Sequence, residues 1–521
     1  MAKNLLKLDL NDQFLHALHI MEDTDRNVFV TGRAGTGKST LLQHFRNNTK
    51  KDIAVIAPTG VAAVNVKGQT IHSFFNFKPD ITPDTAKKIS PRNKSIYKSL
   101  HAIVIDEISM VRADLLDCID IFLRIHGKKK SLPFGGIQMI FIGDLYQLPP
   151  VVKYRDKEIF SHYYKSPYFF DSMVFSQGLD MEFIELEKVY RQKDERFLNI
   201  LNAIRNNTAT DDDFMKINKR YIPDFEDKER FYIYLTTTNE LAEGINQRKL
   251  SNLKGKEHLY HGFIDGDFNI KDLPTGNDIA VKIGAQVMLL NNDYNGRWIN
   301  GSIGKVVEIE HIKGKPDIIW VELSDGQRVD VVPYTWEMYE FHYARDKNRV
   351  MSEIIGAFTQ YPIKLAWAVT IHKSQGLTFE RAVIDIGRGT FSHGQLYVAL
   401  SRCTNLEGMV LKKPIMKKHI FMDRKIVEFV TKYQYKRAKE RQPVEERIFI
   451  IEQAIKEERK LDIIYLKTKD EKTRRTIMPK YIGELEYNGK KFIGVQAFCT
   501  KRMEERVFHI ERILEMRMVD G

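Results

Sequence analysis

Short runs of consecutive apolar residues recur through the first part of the chain and are separated by longer stretches with helical spacing. Four such runs are NVFVTG (27–32), IAVIAP (53–58), HAIVIDE (101–107) and IQMIFIGD (137–144). Runs that are apolar at consecutive positions are typical of parallel strands covered by helices on both faces. The pattern predicts a parallel α/β domain over residues 1–180.

A second set of such runs lies further along, at YIYLTTTN (232–239), LAWAVTIH (365–372), RAVIDIG (381–387) and GMVLKKP (408–414). Between its members, residues 285–345 instead alternate apolar and polar positions, with Gly, Asn and Asp at the turns. Alternation of this kind predicts antiparallel strands with one exposed face. We therefore expect a second parallel α/β domain from residues 181–250 and 351–440, with an inserted domain and its small antiparallel barrel at 251–350.

The C-terminal region has a third pattern of apolar and polar residues. Residues 423–440 have helical spacing, Pro443 then interrupts the chain, and a further stretch places Ile448, Ile451 and Ile455 on one helix face. Short alternating runs follow up to the C-terminus. This order predicts a separate C-terminal region over residues 441–521, with one helix followed by short strands.

Composition narrows the functional classes to which the protein could belong. The 521 residues carry 81 Lys and Arg against 69 Asp and Glu, a net charge of +12 that favours polyanionic partners. Residues 411–521 contain 28 basic against 18 acidic residues, and 411–440 alone contain 10 against 3. The basic stretch 411–440 predicts either a solvated helix face or a secondary contact with a DNA backbone.

Targeting and cysteine patterns indicate a cytoplasmic protein. No run approaches the roughly 18 apolar residues that a membrane-spanning helix needs, and the N-terminus lacks the apolar core of a signal peptide. Cys118, Cys403 and Cys499 are too widely separated to predict a zinc or disulfide framework. The expected compartment is the bacterial cytoplasm, in association with the nucleoid.

GRAGTGKST (32–40) fits the phosphate-loop pattern, and it follows a predicted strand and opens a predicted helix. Glycines at Gly32 and Gly37 let backbone N–H groups wrap phosphate oxygens, and the helix N-terminus adds positive potential. We expect Lys38 to reach the β- and γ-phosphates and Ser39 to help hold Mg²⁺.

VIDEISM (104–110) places two carboxylates at the end of another predicted strand. Carboxyl ends of parallel strands meet at one sheet edge, so this pair is expected to lie beside the phosphate loop. Asp106 is then a candidate metal ligand, and Glu107 is a candidate base for the attacking water. Together the two motifs predict a magnesium-dependent nucleoside triphosphatase.

Further motifs indicate which process is driven by the hydrolysis of the nucleoside triphosphate. They are APTGVAAVNVKGQTIHSFF (57–75), PFGGIQMIFIGDLYQLPPV (133–151), LEKVYRQ (186–192), VTIHKSQGLTF (369–379) and GQLYVALSRCT (394–404). Gln147 follows a strand that ends in Gly-Asp and can sense a γ-phosphate. Arg191 and Arg402 are arginines that a second domain can present to the transferring phosphoryl group, which predicts ATP between two domains.

This set of motifs, in this order, resembles the Pif-one family of superfamily-one DNA helicases of the B branch. DERFLNILNAIR (194–205) resembles the family's signature helix and favours this family over a RecD-like or phage Dda-like helicase. The resemblance covers about residues 5–430. It implies two RecA-like domains and an ATP-dependent motor that moves 5′→3′ on single-stranded DNA and unwinds forked or structured DNA, with roles in DNA repair, recombination and telomere maintenance.

The resemblance also assigns residues. Catalytic roles fall on Lys38, Asp106, Glu107, Gln147, Arg191 and Arg402, and Mg²⁺ contacts on Ser39 and Asp106. The ATP-binding set is Gln13, Gly32, Ala34, Gly35, Thr36, Gly37, Lys38, Ser39, Thr40 and Gly376. Two alternatives stay open: Gln13 as a plain helix-surface residue, and Arg191 and Arg402 as ordinary ion-paired arginines.

For single-stranded DNA, polar loops at strand ends can hold phosphates and neighbouring aromatic rings can stack on bases. The candidates are Thr59, Gly60, His72, Phe74, Thr237, Asn239, His372, Lys373 and Ser374. Residues 62–78 would form a small wedge, in which Phe74 and Phe75 are either stacking residues or core. The insert resembles the family's Src-homology-type module, in which Trp298, Trp320 and Trp336 are expected to be core or rim residues.

The C-terminal residues 441–521 resemble a WYL domain, which implies a small β-barrel, although Phe492-Ile493-Gly494 stands where the name-giving triplet is expected. By that resemblance Arg506 and Arg512 line a pocket for a nucleic acid or small ligand; the alternative is two surface arginines. A second functional class also remains open, an ATP-gated DNA-binding switch that does not unwind. The expected enzyme is a monomer that uses ATP and Mg²⁺.

Overall fold

A computed structural model describes residues 11–519 except 92–93, 153–159, 161, 191–193, 228–230, 271–272, 345, 348, 388, 391, 468–471 and 488, and except the side chains of Arg437, Lys472, Tyr487 and Lys490. The chain divides into two compact units. Unit 1 contains Met1–Leu201 and Asp211–Phe421, and unit 2 contains Asn202–Thr210 and Met422–Gly521.

Helices alternate with strands at the start of the chain, whereas strands dominate its middle and its end. In chain order, the helices are α1 (Asp12–Asp23), α2 (Lys38–Asn48), α3 (Gly60–Asn65), α4 (Ile71–Phe75), α5 (Pro83–Ala86), α6 (Ser95–Ser99), α7 (Ala113–His126), α8 (Met173–Ser176), α9 (Glu195–Arg205), α10 (Asp211–Asn218), α11 (Asn239–Asn252), α12 (Gln395–Ser401), α13 (Arg424–Arg441) and α14 (Val444–Lys456). The strands are β1 (Val28–Gly32), β2 (Ile53–Ala57), β3 (Gln69–Thr70), β4 (Ala102–Ile105), β5 (Gln138–Ile142), β6 (Glu182–Leu186), β7 (Ile233–Thr236), β8 (His258–His261), β9 (Phe263–Gly266), β10 (Asp278–Val281), β11 (Gln286–Leu289), β12 (Ile303–Glu310), β13 (Ile318–Leu323), β14 (Arg328–Val331), β15 (Tyr334–Ala344), β16 (Arg349–Gln360), β17 (Ile363–Leu365), β18 (Ala368–Thr370), β19 (Ala382–Asp385), β20 (Met409–Leu411), β21 (Lys460–Leu466), β22 (Lys472–Tyr487), β23 (Lys490–Cys499), β24 (Glu504–His509) and β25 (Ile513–Val519).

The first sheet of unit 1 is parallel, with the strand order β3-β2-β4-β5-β1-β6. Every residue of β1 and β4 is buried, because neighbouring strands and helices cover both faces. The four predicted strands of this sheet are confirmed. In addition, β6 pairs with β1, so the first domain extends past the predicted boundary at residue 180.

The second sheet of unit 1 is also parallel, in the order β18-β7-β19-β20. Its four strands coincide with the four predicted runs. Helix α11 follows β7, and the insert lies between α11 and β18. The predicted α/β class with two parallel sheets is therefore confirmed.

The insert is antiparallel but is built from more than one sheet. A five-stranded sheet has the order β14-β13-β12-β11-β17, and β15, β16 and β9 form a separate three-stranded sheet. The predicted limit at residue 350 is too early, because β16 and β17 still pair with strands of the insert. Trp298 and Trp336 are buried, as expected for core residues.

Gln286 connects the insert to the second sheet. Its side-chain Nε2 donates to the carbonyl oxygens of Tyr232 (2.9 Å) and Ala366 (2.8 Å), which precede β7 and β18. Those two strands are hydrogen-bonded neighbours. One buried amide thus holds together the two chain segments between which the insert is placed.

The β15–β16 hairpin of the insert reaches the first sheet. The Phe341 backbone N–H donates to Gln69 Oε1 at 3.2 Å, and the Phe341 and Phe74 ring centroids lie 6.0 Å apart. Phe74 and Phe75 belong to an aromatic cluster with Tyr97 and Phe122. The predicted wedge near 62–78 is therefore packed against the hairpin.

Unit 2 contains α13, α14 and an antiparallel sheet in the order β24-β23-β22-β21-β25. Ile451 is fully buried, and Ile448 and Ile455 pack beside it against the sheet, so the predicted helix face is confirmed. This compact unit begins before the boundary predicted at residue 440, since the whole of α13 belongs to it. Among the described residues, no helix is long and apolar enough to cross a membrane.

Candidate nucleotide and nucleic-acid site

The phosphate loop joins β1 to α2. Gly37 caps the helix with φ +88°, a left-handed conformation that glycine adopts without strain, so α2 can begin directly at Lys38. The Lys38 ammonium donates to the carbonyl oxygens of Gly32 (2.6 Å) and Arg33 (3.1 Å). Ser39 and Thr40 are exposed in the first turn of α2, where phosphates and a metal ion can reach them.

The acidic pair follows β4, which lies two strands from β1 in the first sheet. Burial raises the pKa values of both Asp106 and Glu107; the mutual repulsion of the pair raises that of Glu107 further, and Lys38 opposes both shifts. Glu107 also has φ +50°, which is uncommon for a residue with a side chain and often marks a functional site.

The charge and chemistry of these carboxylates indicate whether a Mg²⁺–nucleotide complex fits the site. The raised pKa values mean that the negative charge at this position is only partly balanced by protein groups. Carboxylate and hydroxyl oxygens are ligands that Mg²⁺ prefers, and Asp106 and Ser39 offer both. A divalent cation therefore fits the donor set and the charge of the site.

Gln147 connects this region to the second sheet. Its Nε2 donates to Asp144 Oδ2 at 3.2 Å, and its Oε1 accepts from Gln375 Nε2 at 3.5 Å. Asp144 and Gln147 are buried, and Gln375 lies in the loop that follows β18. Gln147 therefore contacts loops that follow strands of both parallel sheets, and its role in coupling stays a prediction.

A second connection runs through Tyr397 of α12. Its buried hydroxyl accepts from the backbone N–H of Ala34 in the phosphate loop, at 3.1 Å. This approach depends on Gly394, the N-cap of α12, because a side chain there would overlap the backbone of Tyr146 and Gln147. Sequence reasoning missed Tyr397, although it lies inside the QLYVALSR motif.

Arg402 is almost fully buried just after α12, with 1% of its surface exposed. Its guanidinium donates to the carbonyl oxygens of Ser374 (3.3 Å) and Leu377 (3.2 Å), in the loop after β18. Its positive charge also lowers the pKa of Glu107. One side chain thus supports the loop and acts electrostatically on Glu107.

Three further predictions for the nucleotide site concern Gln13, Gly376 and Arg191. Gln13 Oε1 accepts from the backbone N–H of Glu187 at 2.9 Å, near the phosphate loop, where Tyr190 N–H donates to Gly35 O at 2.8 Å. Gly376 is exposed in the loop after β18, with φ +77°. Arg191 lies outside the described residues.

Several candidates for DNA contact lie at the carboxyl ends of strands. Thr59 and Gly60 begin α3 after β2, and Asn239 begins α11 after β7. Lys373 is exposed in the loop after β18, and the neighbouring His372 is half-buried, with a pKa lowered by burial. His72 is partly buried in α4, and Thr237 is buried.

Two of the predicted DNA contacts are corrected by burial. Ser374 has no exposed surface, and its hydroxyl donates to Ile371 O at 2.8 Å, so it shapes the loop instead of contacting a strand. Phe74 is only 6% exposed and packs edge-on against Phe75, Tyr97 and Phe341, which leaves no face for base stacking. Phe75 is likewise core.

In unit 2, Arg506 is exposed and pairs with Glu504 at 2.6 Å, while Arg512 is partly buried in a short helical turn. A concave surface of about 580 Å³ does exist in this unit. Its lining residues are Ile448, Glu452, Ile482, Gly483, Glu484, Lys491, Phe492 and Ile493. Neither arginine lines this surface, and a ligand pocket at Arg506 and Arg512 stays a prediction.

Comparison with known proteins identifies the family. Residues 11–214 match the model of the PIF1-like helicase family, and residues 446–518 match that of the WYL domain. The ATP-dependent DNA helicase Pif1 of Campylobacter jejuni is 33% identical over 407 residues, which cover 73% of this chain and 87% of that protein. The chain belongs to the PIF1-like helicase family.

Solved structures of this helicase family are also similar to this chain. Bacteroides Pif1 in complex with ADP-AlF4 has a TM-score of 0.74 at 35% identity and covers 82% of this chain and 97% of that chain. Bacteroides Pif1 bound to single-stranded DNA has a TM-score of 0.58 at 35% identity, with the same coverage. This PIF1-like helicase is accordingly an ATP-hydrolysing enzyme with a C-terminal WYL domain, as the motifs predict.

Proposed function

We propose that this helicase moves 5′→3′ along single-stranded DNA and unwinds forked or structured duplexes, with ATP hydrolysed as a Mg²⁺ complex. The direction follows from the family resemblance of the motifs. Bacteroides Pif1, a relative of similar fold, binds ADP-AlF4 and single-stranded DNA, which supports the same two ligands here.

In this proposal each residue of the nucleotide site has one task. Lys38 and the N–H groups at the start of α2 hold the phosphates, and Ser39 and Asp106 hold Mg²⁺, which neutralises charge on the phosphate oxygens when bound. Glu107 accepts a proton from the attacking water. Its raised pKa, caused mainly by burial, makes it a stronger base than an exposed carboxylate.

The observation that best supports the proposal is the position of Arg402. It contacts the carbonyl oxygens of Ser374 and Leu377, and its charge reaches Glu107. The loop it supports also presents Lys373. A change of charge at the nucleotide can therefore alter the loop that would grip the strand, which is what a translocating motor requires.

Unwinding assays with 5′-tailed, 3′-tailed and blunt duplexes test direction. We expect strand separation on the 5′-tailed and forked substrates only, and none by Lys38→Ala. Lys38→Ala removes the ammonium of the phosphate loop but leaves the groups proposed to bind DNA. It should therefore still bind single-stranded oligonucleotides.

Two outcomes would contradict the proposal. Equal unwinding of 3′-tailed duplexes would reject the direction. DNA-stimulated ATP hydrolysis without strand separation on any tailed or forked substrate would indicate an ATP-gated switch instead of a motor.

A further inference from the structure

The loop between β11 and β12 of the insert presents two large side chains to solvent. This loop contains residues 290–302 and is called the β11–β12 loop below. Tyr294 at its tip is fully exposed, and Ile299 has 66% of its surface exposed. Single exposed apolar residues are common on protein surfaces. This loop differs because hydrogen bonds hold it in one conformation.

An ion pair fixes the turn that contains the tip. The backbone N–H of Asp293 donates to Trp298 O at 3.1 Å. The Arg297 guanidinium donates to both carboxylate oxygens of Asp293, at 2.9 and 3.0 Å, and also pairs with Asp330. Arg297 lies over the Trp298 ring, 4.7 Å from its centroid, and that ring is part of the apolar core of the insert. The turn is therefore anchored to the core.

Two asparagine side chains fix the remainder of the β11–β12 loop. Asn291 Oδ1 accepts from the indole Nε1 of Trp298 at 3.0 Å, and Asn292 Oδ1 accepts from the backbone N–H of Asn300 at 2.8 Å. A side chain on a loop that is already ordered loses little conformational entropy when it binds a partner. A tyrosine also has only two side-chain torsions to fix. The Tyr294 ring is thus presented at a low entropic cost of binding.

The β11–β12 loop packs against the loop that follows β18. Gly301 near its end has φ +98°, and a Cβ placed there would lie 3.2 Å from Cδ2 of Leu377. The carbonyl oxygen of Leu377 accepts from Arg402 at 3.2 Å, and the same loop exposes Lys373. The exposed ring therefore belongs to a segment that borders the loop proposed to grip the strand.

The chemistry of this surface favours single-stranded nucleic acid as the partner. The β11–β12 loop contains four asparagines and one acidic residue, Asp293, whose charge Arg297 balances. A polar loop with an exposed ring beside an exposed lysine can bind a strand, because the ammonium binds a phosphate and the ring stacks on a base. Two separate apolar side chains are too small for a stable protein interface, which buries about 800 Å² on each partner.

We propose that Tyr294 stacks on a base of the single-stranded DNA whose backbone is held by the loop after β18. This inference rests on the proposed function. It assigns to the insert a contact with the bases, in addition to the phosphate contacts expected from the polar loops at the strand ends. Every base has a face on which a ring can stack, so this contact does not depend on the DNA sequence.

The test compares the full-length wild type with Tyr294→Ala by fluorescence anisotropy, without ATP. One probe is fluorescein-labelled oligothymidine, and the other is a strand of equal length in which abasic residues replace the thymidines. The abasic strand keeps the phosphates but offers no base to the ring. Tyr294→Ala should weaken the binding of oligothymidine by about 5- to 100-fold, the loss expected for one base–aromatic stack. The two proteins should bind the abasic strand equally.

Two further variants serve as controls. Tyr294→Phe keeps the ring and should bind oligothymidine as the wild type does. Phe263→Ala removes another exposed ring of the insert, on the separate three-stranded sheet, and should leave both affinities unchanged. None of the three substitutions removes a charge, so the slope of log K against log[NaCl] should equal that of the wild type in each. An unchanged Tm of Tyr294→Ala shows that the loop remains folded.

Three results would overturn the inference: wild-type affinity of Tyr294→Ala for oligothymidine, an equal loss of affinity on both strands, or an equal loss caused by Phe263→Ala. Failure of the proposed function is distinguishable, because direction and strand separation are measured on tailed duplexes with ATP, whereas the base contact is measured by binding alone. A wild-type protein that separates no tailed duplex, but whose affinity for oligothymidine depends on the Tyr294 ring, would reject the motor and keep the base contact.

Discussion

The pKa values of the acidic pair in unit 1 and of one aspartate in unit 2 are shifted in opposite directions. Asp106 and Glu107 in unit 1 have raised pKa values, because burial and mutual repulsion outweigh the cations nearby. Asp462 in unit 2 has its pKa lowered to about 2 by hydrogen bonds from Thr476 (2.6 Å), Arg474 (2.9 Å) and Arg517 (3.2 Å). The charge of the first pair is only partly balanced by nearby cations, whereas the carboxylate of Asp462 is held by three donors.

The difference separates functional from structural charge. A carboxylate with several fixed donors stabilises the fold that holds those donors, and it has little capacity left for a ligand. A buried carboxylate with too few donors destabilises the fold and becomes favourable only when a cation or a proton arrives. Substitution of an acid from the first set should therefore lower activity and raise stability, whereas substitution of Asp462 should lower stability and leave activity unchanged.

The largest expected effect is that of Glu107→Gln. Removing the proposed base should lower the rate of DNA-stimulated ATP hydrolysis by about 10²- to 10⁴-fold, as measured by phosphate release. Loss of a poorly compensated charge should at the same time raise the Tm measured without nucleotide.

Glu322→Gln is the control for this substitution, because Glu322 is exposed on β13 of the insert. It should change neither rate nor Tm. A Glu107→Gln enzyme that hydrolyses ATP within threefold of the wild type would remove Glu107 from the role of base.

Asp462→Asn should show the reverse pattern. ATP hydrolysis should be unchanged, while the free energy of opening of β21 should fall by about 1–2 kcal/mol, because three donors lose a charged acceptor. All four tryptophans lie between residues 298 and 367, so tryptophan fluorescence does not report on this unit. Amide hydrogen exchange of residues 460–466 is the appropriate measurement.

The pH dependence follows from the direction of the shift. The pKa of Asp462 is lower in the folded state than in the unfolded chain. The stabilisation that Asp462 provides is therefore complete above about pH 4 and is lost as the pH falls towards 2.

Glu515→Gln is the control for Asp462→Asn. It breaks an exposed pair with Arg441 and should lower the free energy of unfolding by less than about 0.5 kcal/mol. Equal effects of the two substitutions would mean that Asp462 is not a structural centre.

Tyr397→Phe should give the smallest effect. It removes one neutral hydrogen bond between α12 and the Ala34 N–H, worth about 0.5–1.5 kcal/mol, so kcat or KM for ATP should change by about 2- to 10-fold. Tyr234→Phe, whose hydroxyl meets only the Phe225 carbonyl among the described contacts, is the control. Identical kinetics of the two variants would show that the contact does not contribute to turnover.

The parts of the site that could be predicted are those set by local sequence. The glycines, Lys38 and Ser39 act within one strand–loop–helix segment, and Asp106 and Glu107 follow directly from the end of a strand. Their positions depend on the sheet edge that parallel strands share, and apolar runs indicate that edge reliably.

The parts that could not be predicted depend on contacts distant in sequence. Ser374 lies in a polar motif, but its side chain turns inward to the backbone of Ile371. Phe74 is buried by the β15–β16 hairpin, more than 260 residues away along the chain.

The Gln286 amide has a consequence for the order of folding. Strands β7 and β18 are adjacent, but more than 130 residues separate them, and closing so long a loop is entropically costly. Pairing of β11 with β17 places residues 286 and 366 side by side, and the Gln286 amide bonds the residues that precede both β7 and β18. A folded insert therefore shortens the loop that must be closed before β7 and β18 can pair, which lowers the entropic cost of completing the second sheet.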